Sequence, residues 1–134
     1  MRVTPPAMEP VSLVEAKSHL RVDAADDDAV IEALIAAARE HVEQVTRRAL
    51  ITQTWDYILD AFPAGEIRLP RPPLQSVTSI TYKRQDGSEA TVASADYVVD
   101  AKSEPGRVIV APGRSWPSDP LYPGGAVTVR YVAG

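Results

Sequence analysis

The sequence predicts an α+β fold: an N-terminal helical pair, short helix then long helix, packed with a mostly antiparallel β domain of six or seven short strands. No glycine or proline occurs from Val11 to Phe62, which permits long helices. All seven glycines and nine of the twelve prolines follow, and they punctuate short β-branched runs as turns punctuate strands. We therefore divide a single domain into a flexible N-terminal arm (1–10), a helical part (11–50) and a β part (51–134).

The first helix is predicted from its start sequence. Ser12 followed three residues later by Glu15 is a capping-box pattern, in which the two side chains satisfy free amides at a helix N-terminus. Leu13, Ala16 and Leu20 then supply the apolar spacing of a short helix, which we expect to end near Val22.

The second helix is predicted to be long, about 20 residues. Three consecutive aspartates, 26–28, favour a helix N-terminus, and Glu43 with Arg47 has the spacing of an ion pair one turn apart. Apolar residues recur at spacings of three and four: Ile31, Leu34, Ile35, Ala38, Val42 and Val45. The helix also carries several alanines, whose small side chains would let a neighbouring element approach more than one of its faces closely. These are Ala33, Ala36, Ala37 and Ala38.

The β part begins where the periodicity changes to two. Trp55, Tyr57 and Leu59 share one face of an alternating strand and are predicted to face the core. Asp86-Gly87 is a hairpin turn that pairs the strand 77–82 with the strand 90–92. Further extended runs are 67–69, 97–99, 107–110 and 126–132.

The segment 111–125 is a candidate contact loop. It holds four prolines and three glycines together with Trp116 and Tyr122, which makes it too long and too aromatic for a passive connection. For Trp116 itself we keep two interpretations, local packing and contact with a partner.

Composition and motifs exclude several classes of function. The chain has no cysteine, which excludes thiolate metal sites and thiol nucleophiles. Its net charge of -4 has the wrong sign for a protein that binds nucleic acid over a broad surface. His19 and His41 have no carboxylate at metal-ligand spacing, and no phosphate-binding or nucleophile-elbow motif occurs. We expect no enzyme, cofactor or metal. We also expect no membrane span and no secretory signal at residues 1–10.

Several segments, in order, resemble the head-tail connector (adaptor) family of tailed bacteriophages, prophages and gene transfer agents. The resemblance covers about residues 11–134. The similar segments are 11–22, 31–43, 50–55, 69–82, Asp96-Tyr97, Arg107-Val108, 112–117 and 127–134.

The resemblance implies a structural role in a virion or phage-like particle, assembled in the bacterial cytoplasm. About twelve copies would form a ring under the portal protein, extend the DNA channel without binding DNA specifically, and present a platform for stopper or tail proteins. Family members commonly continue past the Tyr-Val-Ala-Gly position into helices that dock on the portal, whereas this sequence ends there, at Gly134.

A ring subunit needs lateral faces, and the sequence offers candidates for them. The long helix and the loop 111–125 supply the predicted interface residues: Ala33, Ala36, Ala37, Arg39, Arg47, Arg114, Trp116, Leu121 and Tyr122. The alternative from a different class is a soluble binding module that uses the loop 111–125 to hold a peptide or small ligand. A small enzyme is a third alternative, which a polar pocket joining a histidine to a carboxylate would favour.

Overall fold

A computed structural model describes residues 1–134 and confirms the α+β class. Two helices follow a short first strand, and seven further strands complete the chain. In order these are β1 (Arg2–Thr4), α1 (Leu13–Leu20), α2 (Asp28–Thr46), β2 (Gln53–Leu59), β3 (Ile67–Arg68), β4 (Leu74–Lys83), β5 (Glu89–Thr91), β6 (Tyr97–Asp100), β7 (Arg107–Val110) and β8 (Val127–Ala133), with one 3₁₀ turn at Ser94–Asp96.

The predicted helix starts are confirmed. Ser12 caps α1 by accepting from the Glu15 amide, while the Glu15 carboxylate accepts from the Ser12 amide at 2.8 Å. The hydrogen bonds that the Ser12 amide and hydroxyl donate to the Glu15 carboxylate lower the pKa of Glu15, because they favour its charged form. The α2 helix begins at Asp28, after Asp27. Both helices end on an arginine with positive φ, Arg21 and Arg47.

The strands form two antiparallel sheets. The larger has the order β1-β2-β8-β4-β5, and the smaller has the order β3-β7-β6. Strand β8, last in the chain, lies at the centre of the larger sheet and pairs along its whole length with β2, from Gln53 opposite Ala133 to Leu59 opposite Val127. The hairpin predicted at Asp86-Gly87 joins β4 to β5, with Gly87 at a φ of 88°.

The core draws on both sheets and on the segments beside them. Residues buried in one cluster are Ala49, Ile67, Leu69, Leu74, Ile80, Tyr82, Val92, Val108, Val127, Val129, Tyr131 and Ala133. Gly106 lies where the sheets approach each other, and a Cβ at this position would overlap the Leu74 side chain. No residue of α1 or α2 belongs to this cluster. The helical pair therefore lies outside the main core.

Two local predictions need correction. The sequence predicts a flexible arm over residues 1–10, but Arg2–Thr4 forms β1 on the edge of the larger sheet, so the strand count is eight rather than six or seven. The residues Arg2–Thr4, which come before Pro5-Pro6, show no strand pattern in the sequence. They form a strand because they pair with β2. The predicted Glu43–Arg47 pair is absent, because the helix ends at Thr46 and Glu43 pairs with Arg39 instead.

Candidate functional site: the open face of the helical pair

The α2 helix turns its charged face, rather than its apolar face, toward the β part. Arg39 is 5% exposed and Glu43 2% exposed, and their side chains form a hydrogen-bonded ion pair at 2.9 Å. Glu43 also accepts from the Gln53 side chain at 2.6 Å and from the Leu50 amide at 2.9 Å. A buried polar joint therefore fixes α2 on the β part.

Arg39 is the centre of this joint. Its guanidinium donates to Glu9 at 2.7 Å as well as to Glu43, so it ties the segment before α1 to α2. Burial alone would lower the pKa of Arg39, but the hydrogen bonds and negative charges of Glu9 and Glu43 outweigh burial and raise it. The residue is a permanent cation inside the subunit.

The apolar faces of the two helices are left open. Between them runs a groove of about 620 Å³ that extends from Leu20 and Ile31 to Val42 and Leu50. Among the apolar residues that line this groove only Ile31 is buried, whereas Leu34 on its wall is 62% exposed. Other exposed apolar residues of the helical part are Val11, Val14, Leu20, Val30, Val42, Val45 and Leu50. Monomeric proteins rarely leave so continuous an apolar surface uncovered, so this face is a candidate interface.

Opposite charges lie at the two ends of α2. At its start an acidic turn, defined as Asp23, Asp26 and Asp27, contains no side chain in an ion pair. At its end a depression of about 360 Å³ is lined by arginines and prolines only, apart from Thr46. We call it the arginine–proline patch; it consists of Arg47, Arg48, Pro70, Arg71, Pro72 and Pro105.

Within this patch the arginines differ in how they are held. Arg71 stacks on Trp55, with its guanidinium carbon 4.6 Å from the ring centroid, and donates to the Glu43 carbonyl at 3.2 Å. Arg48 is paired with Glu104 through two hydrogen bonds of 2.7 and 2.9 Å. Arg47 is exposed and has no partner for its side chain within the subunit. Arg47 and Arg71 thus leave two positive charges without a carboxylate.

The loop 111–125 is held against the β part. Trp116 stacks on Phe62, with ring centroids 5.3 Å apart, and its indole nitrogen donates to the Gly65 carbonyl at 3.2 Å. Leu121 is half-buried against the core and forms a bridge with Arg84. Of the two interpretations of Trp116, these contacts favour local packing.

The two remaining loop candidates are more exposed. Arg114 lies 3.4 Å from Asp96 in an exposed ion pair, and Tyr122 lies under the Lys83 ammonium, 4.3 Å from its ring centroid. The loop therefore presents Arg114 and Tyr122 to solvent while Trp116 and Leu121 anchor it.

The alanines of α2 are placed on two sides of the helix. Ala33 and Ala37 are exposed and lie one turn apart, whereas Ala36 is half-buried. The sequence-based candidates do not include Leu34, Val42 and Val45, which the structure leaves exposed on α2. Their period was visible in the sequence, but their exposure depends on where the β part lies.

The histidines and carboxylates of this structure form no metal-binding cluster. His19 lines the apolar groove, His41 is exposed on α2, and no cluster of three or more His, Asp or Glu side chains could hold a metal ion. Neither helix is long and apolar enough to cross a bilayer.

The open apolar face of this fold makes the chain a candidate assembly subunit, a protein that binds other proteins through such a surface. The chain belongs to the phage gp6-like head-tail connector protein family, whose model matches residues 10–105. A structural connector role follows from this membership. No curated protein matches the chain.

Three solved structures of gene transfer agent (GTA) particles contain similar chains. One from the neck of an empty particle computed with C6 symmetry has a TM-score of 0.78 and 28% identity. A chain from the virion of a native particle has a TM-score of 0.77 and 27% sequence identity. A chain from a native neck computed with C12 symmetry has a TM-score of 0.74 and 27% sequence identity. Each match covers 100% of this chain and 69–70% of the other.

Proposed function

We propose that this chain is the adaptor subunit in the neck of a phage-like or gene transfer agent particle. About twelve copies form a ring beneath the portal protein, extend the DNA channel and link the head to stopper or tail proteins. The observation that carries the proposal is the likeness over the whole chain to subunits of GTA necks, one of which was computed with C12 symmetry.

The surface of the subunit supports this assignment. A ring subunit must bury surface against its neighbours, and the helical pair leaves an apolar groove of about 620 Å³ uncovered. Arg39 positions α2 from inside the subunit, so its part in an interface is to hold the helix rather than to touch a partner. Ala33, Ala37, Arg47, Arg114 and Tyr122 are the sequence-based candidates that remain accessible for contact.

The charge distribution suits a channel through which DNA passes. Residues 1–64 carry 6 basic and 11 acidic side chains, a balance of -5, and residues 65–134 carry 8 and 7, a balance of +1. A subunit of net charge -4 repels the DNA backbone overall, so DNA passes without being held. Assembly takes place in the bacterial cytoplasm, where heads and necks are joined.

The test is cross-linking mass spectrometry on phage-like particles purified from the source organism. We expect cross-links between copies of this chain and between this chain and the portal protein. Absence of the chain from intact tailed particles would refute the adaptor function. It would favour instead a soluble module that holds a peptide or small ligand at the loop 111–125.

A further inference from the structure

A closed ring of identical subunits places a different demand on the surface from a two-fold dimer. Each copy must offer two distinct patches that are complementary to each other, because every contact is head to tail. The contact inferred here rests on the proposed ring, in which two such patches of this chain meet at every junction.

The first patch is the groove between α1 and α2 together with the acidic turn. The groove reaches Leu20 and Ile31, the last residue of α1 and a residue of the first turn of α2, so its end adjoins Asp23, Asp26 and Asp27. Arg21 is the one unpaired cation nearby in sequence, which leaves this end with a balance of -2. The first patch is therefore an apolar groove with an acidic end.

The second patch is the arginine–proline patch. Arg47 and Arg71 give it two positive charges without carboxylate partners, because Arg48 is tied to Glu104. Pro70, Pro72 and Pro105 supply rigid apolar rings around those charges. Proline rings have almost no rotamer freedom to lose, so burying them in the apolar groove costs little side-chain entropy.

The two patches lie apart on one subunit. The 19 residues of α2 separate the acidic turn from Arg47, which corresponds to about 28 Å at the usual rise of a helix. The charges also suit the dipole of α2, so the charge pattern alone does not require a partner. The open groove beside the acidic turn is the feature that points to a partner, because no part of residues 1–134 covers it.

We infer that the apolar groove and acidic turn of one copy bind the arginine–proline patch of the next copy. The prolines cover exposed apolar side chains such as Leu34, and the Arg47 guanidinium meets the carboxylates of the acidic turn. Both kinds of surface are exposed in the single subunit, so each gains a complementary neighbour only in the ring.

The experiment is a charge swap between copies. One variant carries Asp26→Arg and the other Arg47→Glu, and neither substitution removes a side-chain hydrogen bond within the subunit. Each is introduced alone into cells that produce the particles in place of the wild-type chain. Each substitution cancels the net charge of its patch and sets the substituted side chain against one of like charge at every contact around the ring. We therefore expect the yield of tailed particles to fall at least about tenfold for each single variant.

Co-expression of the two variants provides the decisive arm. An alternating ring pairs an Asp26→Arg turn with an Arg47→Glu patch at one contact and two wild-type surfaces at the next. We therefore expect co-expression, and also the double variant in a single chain, to restore the yield. Glu89→Lys reverses an exposed charge on β5, a strand that contributes no residue to either patch, and serves as the control. Thermal unfolding of each purified variant confirms that it is folded.

Each outcome has a separate meaning. Full yield from both single variants would overturn the inferred contact while the ring stands. Loss without rescue by co-expression would also overturn it, and would assign the charged patches to a portal, stopper or tail protein. If the wild-type chain itself is absent from the particles, the adaptor function fails before the contact is tested.

Discussion

At the scale of single residues, the ion pairs of this protein differ in what they support. Arg39 and Glu43 are buried where α2 meets the β part, whereas Arg48 and Glu104 form an exposed pair with equally good geometry. Breaking a buried pair leaves an uncompensated charge without water, while an exposed charge is simply hydrated. The position of a pair therefore decides its importance.

Arg39→Met tests this difference. We expect the variant to lose about 3–5 kcal/mol of unfolding free energy, because Glu9 and Glu43 lose their common cation. The matched control Arg48→Met should lose much less, because both partners of that ion pair are exposed to water. Urea denaturation measures both. Equal, small losses would show that water enters the joint when Arg39 is replaced.

Asp56 makes stability depend on pH. Two hydrogen bonds of 2.8 Å from Arg130, its cross-strand partner in β8, lower the pKa of Asp56. Since the folded state has the lower pKa, this carboxylate stabilises the fold above the unfolded pKa of about 4, and the contribution is lost as pH falls through the folded pKa.

Asp56→Asn should remove that contribution. At neutral pH we expect the variant to be less stable by about 1 kcal/mol, since Arg130 is partly exposed. The difference between the two proteins should shrink as pH falls below about 4. Denaturation at a series of pH values measures it. A difference that stays constant down to acidic pH would contradict the assignment to charge.

At the scale of elements, the loop 111–125 shows that an aromatic loop can be anchored rather than free. The end of β4 and the residue after it hold its second half: the Tyr122 amide donates to the Lys83 carbonyl at 3.0 Å, and Arg84 forms a bridge with Leu121. Trp116 holds its centre by stacking on Phe62. The loop is part of the fold, and Arg114 and Tyr122 are what it exposes.

Trp116→Ala should lower the stability of the isolated subunit by about 2–3 kcal/mol, less than a fully buried tryptophan would cost. Trp116→Phe keeps the stack on Phe62 and should lose less. Thermal and urea unfolding compare the two variants. Unchanged stability with loss of particle assembly would instead favour the other interpretation of Trp116, a partner contact.

At the scale of the whole molecule, the arrangement of the two parts creates the candidate interface. The helical pair meets the β part through the polar joint of Arg39, Glu43 and Gln53, so the apolar face of α2 is turned outward beside α1. The cost of leaving apolar surface in water is recovered only when another protein covers it.

Leu34→Gln tests this view of the whole subunit. Because Leu34 is largely exposed, we expect little change in thermal stability but a several-fold loss of assembled particles. Ala37→Gln, on the exposed side of α2 away from the groove, is the matched comparison and should have the smaller effect. A larger loss for Ala37→Gln would favour the alanine face predicted from sequence as the lateral interface.

Local patterns were sufficient to predict the elements. The capping box at Ser12, the aspartates before α2 and the Asp86-Gly87 turn each act through neighbours in the chain, so a sequence contains what is needed to interpret them. Strand β1 was missed because its pairing with β2 is a long-range contact that three residues do not encode.

The sequence by itself determined the α+β class, the order of the elements after β1 and the resemblance to a head-tail connector. Only the tertiary structure decided which faces are free: it buried Arg39, anchored Trp116 and left Leu34 exposed. The physical reason is that a period of 3.6 residues shows that a helix has an apolar face but not what covers it. Here that depends on the polar joint at Glu43, which links residues far apart in the chain.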